Sequence, residues 1–160
     1  MGRPCCDEYP LIVDGVPPVQ GERRDMTVEV LIATLQSALT PALLQPRYRM
    51  RNGLNPMHGH CYVASEALRH LLREFFPSLV MKPCRARDEE GIVHWWLVDE
   101  VGKILDATAD QYRHEGREPP YQAGRRAAFL TSRPSKRARV VIALVETTLL
   151  GDGWRRHTLP

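Results

Sequence analysis

Apolar residues recur three and four positions apart in two stretches of the chain, and this spacing predicts two amphipathic helices. The first runs from residue 27 to residue 39, where Asp25 or Thr27 can cap its start and Pro41 ends it. The second runs from Cys61 to about residue 76 and carries the more regular apolar stripe. Each helix has one apolar face, so each must pack against another part of the fold.

Shorter runs of β-branched and aromatic residues predict strands in the middle of the chain. Residues 92–98 form the strongest of these runs, and residues 99–102 turn the chain into a short strand at 103–106. A hairpin centred near Glu100 would place the two strands antiparallel. The sequence also predicts a strand at 11–13, an irregular loop at 47–60, a strand at 79–83, a turn at 88–91, a polar loop at 112–121, one or two helical turns at 125–130 and a buried strand at 139–148.

These elements predict a single α+β domain that spans residues 1–160, with an extended segment at 1–24 and a mobile tail at 151–160. The chain is 43% hydrophobic and 26% charged, which is the composition of a globular protein and excludes a wholly disordered one. We therefore look for chemistry within one folded core.

Membrane and export signals are weak in this sequence. Its longest apolar runs, at 92–98 and 140–145, are well short of the ~20 residues that a membrane-spanning helix needs. Pro4, Asp7 and Glu8 occupy positions where a signal peptide would be apolar. Four cysteines are too few for a disulfide scaffold. We expect a cytoplasmic protein, without a membrane partner, whose cysteines are thiols.

Cys61 opens the better patterned of the two helices. The unpaired N–H groups and the dipole at a helix N-terminus stabilise an anion, so a thiol at this position forms the nucleophilic thiolate more readily. A cysteine is also a common small core residue. The position of Cys61 therefore points to a nucleophile only if a base lies close to it.

His94 is the candidate base, because it lies near the start of the strand at 92–98. The predicted hairpin sets Asp106 roughly opposite His94, with both side chains on one face of the sheet. A carboxylate beside an imidazole fixes the tautomer of the ring and stabilises its protonated form. Asp110 is a rival for this role, but it lies in the loop beyond the strand and fits a turn or helix cap.

The order of these three side chains, on a helix, a strand and the next strand, resembles that of the papain-like and transglutaminase-like cysteine enzymes. The segments GHCYVASEAL (59–68), HWWL (94–97) and ILDATADQY (104–112) also resemble segments of small phage and bacterial proteins. The resemblance covers roughly residues 26–140. It implies a papain-like core, in which the helix that bears the nucleophile packs on a small antiparallel sheet.

The resemblance implies Cys61 as nucleophile, His94 as general base and acid, and Asp106 as the group that orients His94. It implies an oxyanion site formed by the backbone N–H of Cys61 and a side-chain amide upstream, a position that Asn55 occupies here. Trp96 shares the strand face of His94 and is a candidate substrate contact. We expect hydrolysis of an amide, peptide or isopeptide bond in a peptide, protein or small amide substrate, or else acyl transfer to an amine. No cofactor is needed for this chemistry, and the oligomeric state stays open.

Two other classes of function stay open at this point. Histidine and cysteine are common zinc ligands, although the chain has no Cys-x-x-Cys pair and no helical His-x-x-x-His. The segment 113–139 carries eight basic and only two acidic residues, so it could contact nucleic acid or another anionic partner. The candidate zinc ligands are His58, His60, Cys61, Cys84 and His94.

Overall fold

Both amphipathic patterns fold as helices. A computed structural model describes residues 26–151 of the chain. Helix α1 spans Val28–Ser37, and the hydroxyl of Thr27 caps its start by accepting a hydrogen bond from the Val30 N–H at 3.3 Å. Helix α2 spans Pro46–Leu54 and α3 spans Cys61–Phe75. The two helices predicted from the apolar spacing are therefore confirmed as α1 and α3.

Within residues 26–151, four short strands form one antiparallel sheet. They are β1 (Lys82–Arg87), β2 (Val93–Val98), β3 (Ile104–Leu105) and β4 (Arg125–Arg126), in the spatial order β3-β2-β1-β4. The strand predicted at 92–98 and the turn at 88–91 are confirmed. The strand predicted at 79–83 lies further along the chain, because buried and exposed residues alternate from Cys84 to Arg87. Together the helices and this sheet make a mixed helix-and-strand fold.

The hairpin register differs by two residues from the predicted one. Leu97 pairs with Leu105, and this register sets Asp106 opposite Trp96 rather than opposite His94. Since diagonal neighbours on one face of a sheet are still within reach of long side chains, Asp106 and His94 can nevertheless meet. Strand β3 pairs with only the last two residues of β2.

The buried strand predicted at 139–148 is wrong. Residues Lys136–Gly151 form a helix, α5, which extends into the segment predicted as a tail. The β-branched residues of this segment suggested a strand, but its buried residues recur at helical spacing and pack on α1 and α3. These buried residues are Ala138, Val141, Ile142, Val145 and Leu149.

The loop predicted at 47–60 and the helical turns predicted at 125–130 are also wrong. Much of the first segment is α2, in which Asn52 is buried and donates hydrogen bonds to the carbonyls of Pro56 and His58 rather than marking a turn. The second segment contains β4, which pairs with Cys84 and Arg85 of β1. The polar loop predicted at 112–121 overlaps a short helix, α4 (Asp110–Arg113).

The main core lies between α3, the helices α1 and α5, and the face of the sheet that bears Leu97. A smaller cluster on the opposite face contains Cys84, Ala86 and Trp96, with Tyr121 packed against it. Within residues 26–151, no helix combines the length and the apolar character that crossing a membrane requires. The predicted strand at 11–13, the extended segment at 1–24 and the tail beyond residue 151 lie outside the described residues.

Candidate active site

Cys61 occupies the first position of α3, where its side chain is buried. Its Sγ lies 3.6 Å from the carbonyl oxygen of Val93, the first residue of β2. The chain enters the helix through Gly59, whose φ of +83° is unfavourable for residues with a Cβ. A Cβ at Gly59 would also lie 3.1 Å from the Cβ of Tyr48 on α2. The Gly-His-Cys sequence therefore lets α2 approach closely while it places the sulfur beside β2.

His94 and Asp106 meet as the sequence predicts. The His94 Nε2 lies 2.6 Å from the Asp106 Oδ2, and the two side chains are 0% and 2% exposed. Asp106 also accepts hydrogen bonds from the backbone N–H and the hydroxyl of Thr108 and from the hydroxyl of Tyr121. With these donors in place, the carboxylate is satisfied as an anion and has a fixed orientation.

Electrostatics couple the His94 ring to both Asp106 and Cys61. Burial of the ring disfavours its protonated form, but hydrogen bonds to Asp106 and Cys61 and the charges of both groups outweigh this effect and raise the pKa of His94 to about 9. Nε2 is held by the carboxylate, so a proton exchanged with the sulfur would have to pass through Nδ1, which the Gln111 side chain also contacts. His94 and Asp106 are therefore in direct contact, and the Cys61 sulfur lies against the carbonyl of Val93, the residue before His94.

Gln111 is a member of this site that the sequence did not reveal. Its side-chain Nε2 lies 2.5 Å from the His94 Nδ1, and its side chain lines the same cavity as Cys61. The residue follows Asp110 at the start of α4, and it comes five positions after Asp106. Only the turn from β3 into α4 brings it back to His94, so no spacing rule would have found it.

The structure does not bring Asn55 or Trp96 to the cavity. The Asn55 amide donates both to the backbone carbonyl of Gln111, at 2.6 Å, and to the Glu115 carboxylate, at 3.1 Å. Trp96 is 1% exposed and stacks on His94 from within the smaller cluster. Its neighbour Trp95 faces the other way and lines the cavity instead. Asn55 therefore anchors a loop, and Trp96 supports the imidazole.

A cavity of about 570 Å³ opens beside Cys61, which is a size typical of sites for small ligands. One part of its wall is aromatic and apolar, since Tyr62, Trp95, Ile92 and Val93 line it. Tyr62 and Trp95 pack edge to face with their centroids 5.2 Å apart. The Cys61 sulfur can thus be reached by a ligand that has an apolar part.

Comparison with known proteins gives no relative. No family model matches the chain, and no curated protein or solved structure shows significant similarity to it. Interpretation of the site therefore depends on its own geometry.

The candidate zinc ligands do not converge. Within residues 26–151, no three side chains among His, Cys, Asp and Glu are grouped to hold a metal ion. Cys84 belongs to the small cluster behind the sheet. His60 is fully buried, and neither of its ring nitrogens has a hydrogen-bond partner. Burial, followed by the charge of His58, lowers the pKa of His60 to about 4.

Buried His60 should make the protein sensitive to acid. Its pKa is about 4 in the folded chain and ~6.5 when unfolded, so the unfolded state takes up the proton first as the pH falls. We expect the free energy of unfolding to drop by at most about 3 kcal/mol between pH 6.5 and pH 4 because of this residue. Urea unfolding at pH 7 and pH 4.5 would measure it. A His60→Leu variant should lose that dependence, while a variant of exposed His114 to Gln should keep it; equal acid losses in both would contradict the assignment.

Proposed function

We propose that this protein is a papain-like cysteine hydrolase that cleaves an amide, peptide or isopeptide bond. The observation that supports this most strongly is the buried His94, which Asp106 holds at one nitrogen while the Cys61 sulfur lies against the carbonyl of the preceding residue, Val93. A histidine with a purely structural role would need neither a buried carboxylate as partner nor a nearby thiol at a helix N-terminus. It would also need no open cavity beside that thiol. A reducing cytoplasm would keep the Cys61 thiol available for this chemistry.

The first half-reaction forms an acyl-enzyme. His94 holds at Nδ1 the proton that the Cys61 thiol gives up, and the Cys61 thiolate attacks the carbonyl carbon, which gives a tetrahedral oxyanion. The C–N bond then breaks as His94 returns the proton to the departing nitrogen. The products of this step are a free amine and a thioester on Cys61. Asp106 keeps a proton on Nε2 and stabilises the imidazolium throughout.

The second half-reaction releases the acyl group. His94 removes a proton from water as the water oxygen attacks the thioester carbonyl, and the C–S bond then breaks. The products are a carboxylic acid and the Cys61 thiol, which recovers the proton from His94. An amine in place of water would give a new amide by the same steps, so acyl transfer is the alternative outcome.

Gln111 takes the oxyanion role that the sequence suggested for Asn55. The backbone N–H of Cys61 lies in the first turn of α3, where N–H groups have no acceptor within the helix. The Gln111 amide is the second donor that we infer, because this residue borders the Cys61 cavity. Two such donors would stabilise the negative charge that develops on the carbonyl oxygen.

Removal of the Gln111 amide should therefore lower kcat. We expect a Gln111→Ala variant to lose about 100-fold in kcat with little change in KM, since the donor acts mainly in the transition state. Gln111→Glu has nearly the same shape but lacks the N–H, so it should lose a similar factor. The matched control is Gln45→Ala, because Gln45 is an exposed glutamine in the same cavity wall. Equal kcat values for Gln111→Ala and the wild type would exclude the role.

A panel of internally quenched peptides would test the proposed activity itself. Cleavage should depend on both Cys61 and His94, so the His94→Ala variant should lose it. Hydroxylamine added to the reaction separates the two outcomes, since a hydroxamate product shows that an amine competes with water for the acyl-enzyme. Cleavage that persists in both Cys61 and His94 variants would refute the proposal.

A further inference from the structure

The charged side chains of the described residues that line the Cys61 cavity are all basic. Arg47, Lys136 and Arg137 line it, and among residues 26–151 no aspartate or glutamate does. Arg47 belongs to α2, and the other two begin α5, so cations from two separate elements meet at one opening. A cavity with cations and no acids attracts an anionic group.

No carboxylate within residues 26–151 pairs with these three cations. The Arg47 guanidinium lies over the Tyr48 ring at 4.7 Å, and the Arg137 Nη1 donates to the backbone carbonyl of Leu43 at 3.1 Å. Both contacts orient the side chains, and neither brings a described carboxylate to them. Arg117, which belongs to the basic segment 113–139, instead forms ion pairs with Asp88, Glu90 and Glu115, as an arginine with a structural role does.

One part of the remaining wall is apolar and favours an apolar group. Tyr62 and Trp95 form an aromatic surface near the Cys61 sulfur, and Ile92 and Val93 extend it. An aromatic or large aliphatic side chain would be desolvated against this surface. A ligand that satisfies the whole cavity therefore needs both an apolar part and a negative charge.

We propose that the substrate is an acidic peptide, cleaved beside an aromatic or large aliphatic residue, whose carboxylate or phosphate binds Arg47 and Lys136. This inference rests on the proposed hydrolase function and names the substrate class of the same site. The cavity cations recognise the anion, while Tyr62 and Trp95 hold the apolar side chain next to the scissile carbonyl. Both contacts lie outside the Cys61, His94 and Asp106 group, so they set KM and specificity rather than the chemical step.

A positional scan measures this preference. The substrates are internally quenched peptides that contain one phenylalanine. Each peptide carries Asp, Asn, Lys or phosphoserine at one position on either side of that phenylalanine. At one position we expect Asp to raise kcat/KM about tenfold over Asn, and Lys to lower it. A higher kcat/KM for phosphoserine than for Asp at that position would identify a phosphate group as the anion. A higher kcat/KM for Asp than for phosphoserine would identify a carboxylate.

The Arg47→Glu/Lys136→Glu double variant should favour Lys over Asp at the same position. The matched control is the Arg133→Glu/Arg139→Glu double variant, which makes the same total charge change on two exposed residues outside the cavity, and it should keep the Asp preference. Cleavage that depends on Cys61 but shows no Asp preference at any position, or an unchanged preference in the Arg47→Glu/Lys136→Glu variant, would overturn this inference alone. Absence of cleavage that depends on Cys61 in the whole panel would instead refute the proposed function.

Discussion

Replacing Cys61 with serine should lower the rate of peptide hydrolysis by at least about 1,000-fold. The serine hydroxyl has nearly the same size, but it does not ionise near neutral pH, so His94 can no longer generate an anionic nucleophile. The thiol at the start of α3 donates a hydrogen bond to the Val93 carbonyl, and a hydroxyl can make this bond too. The loss should therefore appear in kcat, with the fold intact.

Cys84 provides the control for this substitution. It is also a buried free cysteine, but it lies in the small cluster with Ala86 and Trp96, away from the cavity. A Cys84→Ala variant should keep most of the activity. Circular dichroism of both variants checks that they are folded. Full activity in Cys61→Ser, or an equal loss in folded Cys84→Ala, would contradict the assignment of the nucleophile.

Replacing Asp106 with asparagine should lower kcat by about 100-fold to 10,000-fold. Asparagine keeps an oxygen for the Thr108 donors, but it lacks the negative charge that holds the Nε2 proton and stabilises the imidazolium. The pH profile should change as well. Hydrolysis needs protonated His94 to release the amine, so wild-type activity should fall as the pH rises through about 9. Without the Asp106 charge, this alkaline limb should move to lower pH.

Asp110 is the matched control for Asp106, because it was the rival candidate in the sequence. Its carboxylate is largely exposed and lies 3.6 Å from the Arg113 guanidinium, within α4. An Asp110→Asn variant should keep both the rate and the alkaline limb of the wild type. A normal pH profile in Asp106→Asn would show that Asp106 does not hold the His94 ring in its active form.

The parts of the site that the sequence predicted depend on local rules. A stripe of apolar residues placed Cys61 at a helix N-terminus, and a short hairpin brought Asp106 to His94. The predicted register was wrong by two residues. Asp106 still reaches His94, because side chains at diagonal positions on one sheet face lie within contact distance. The contact between Thr108 and Asp106 also follows a local rule, since an aspartate in a turn commonly accepts a hydrogen bond from the N–H two residues later.

The parts that the sequence missed depend on tertiary contacts. The β-branched residues of α5, taken alone, are compatible with a strand. They form a helix because the apolar positions at helical spacing pack on α3. Gln111 joins the site only after β3 and α4 have folded around His94. Each of these contacts joins segments whose meeting no local pattern specifies.

Alkylation of Cys61 at pH 6 tests the central claim most directly, namely that the Cys61 sulfur and the His94 ring share a proton. A free cysteine has a pKa of ~8.5 and is almost entirely protonated at this pH, so it reacts slowly with iodoacetamide. Peptide mapping by mass spectrometry follows the rate at Cys61 in the wild type and in a folded His94→Ala variant. We predict that the wild-type rate exceeds that of the variant at least about tenfold; equal rates would contradict the pairing of the two side chains.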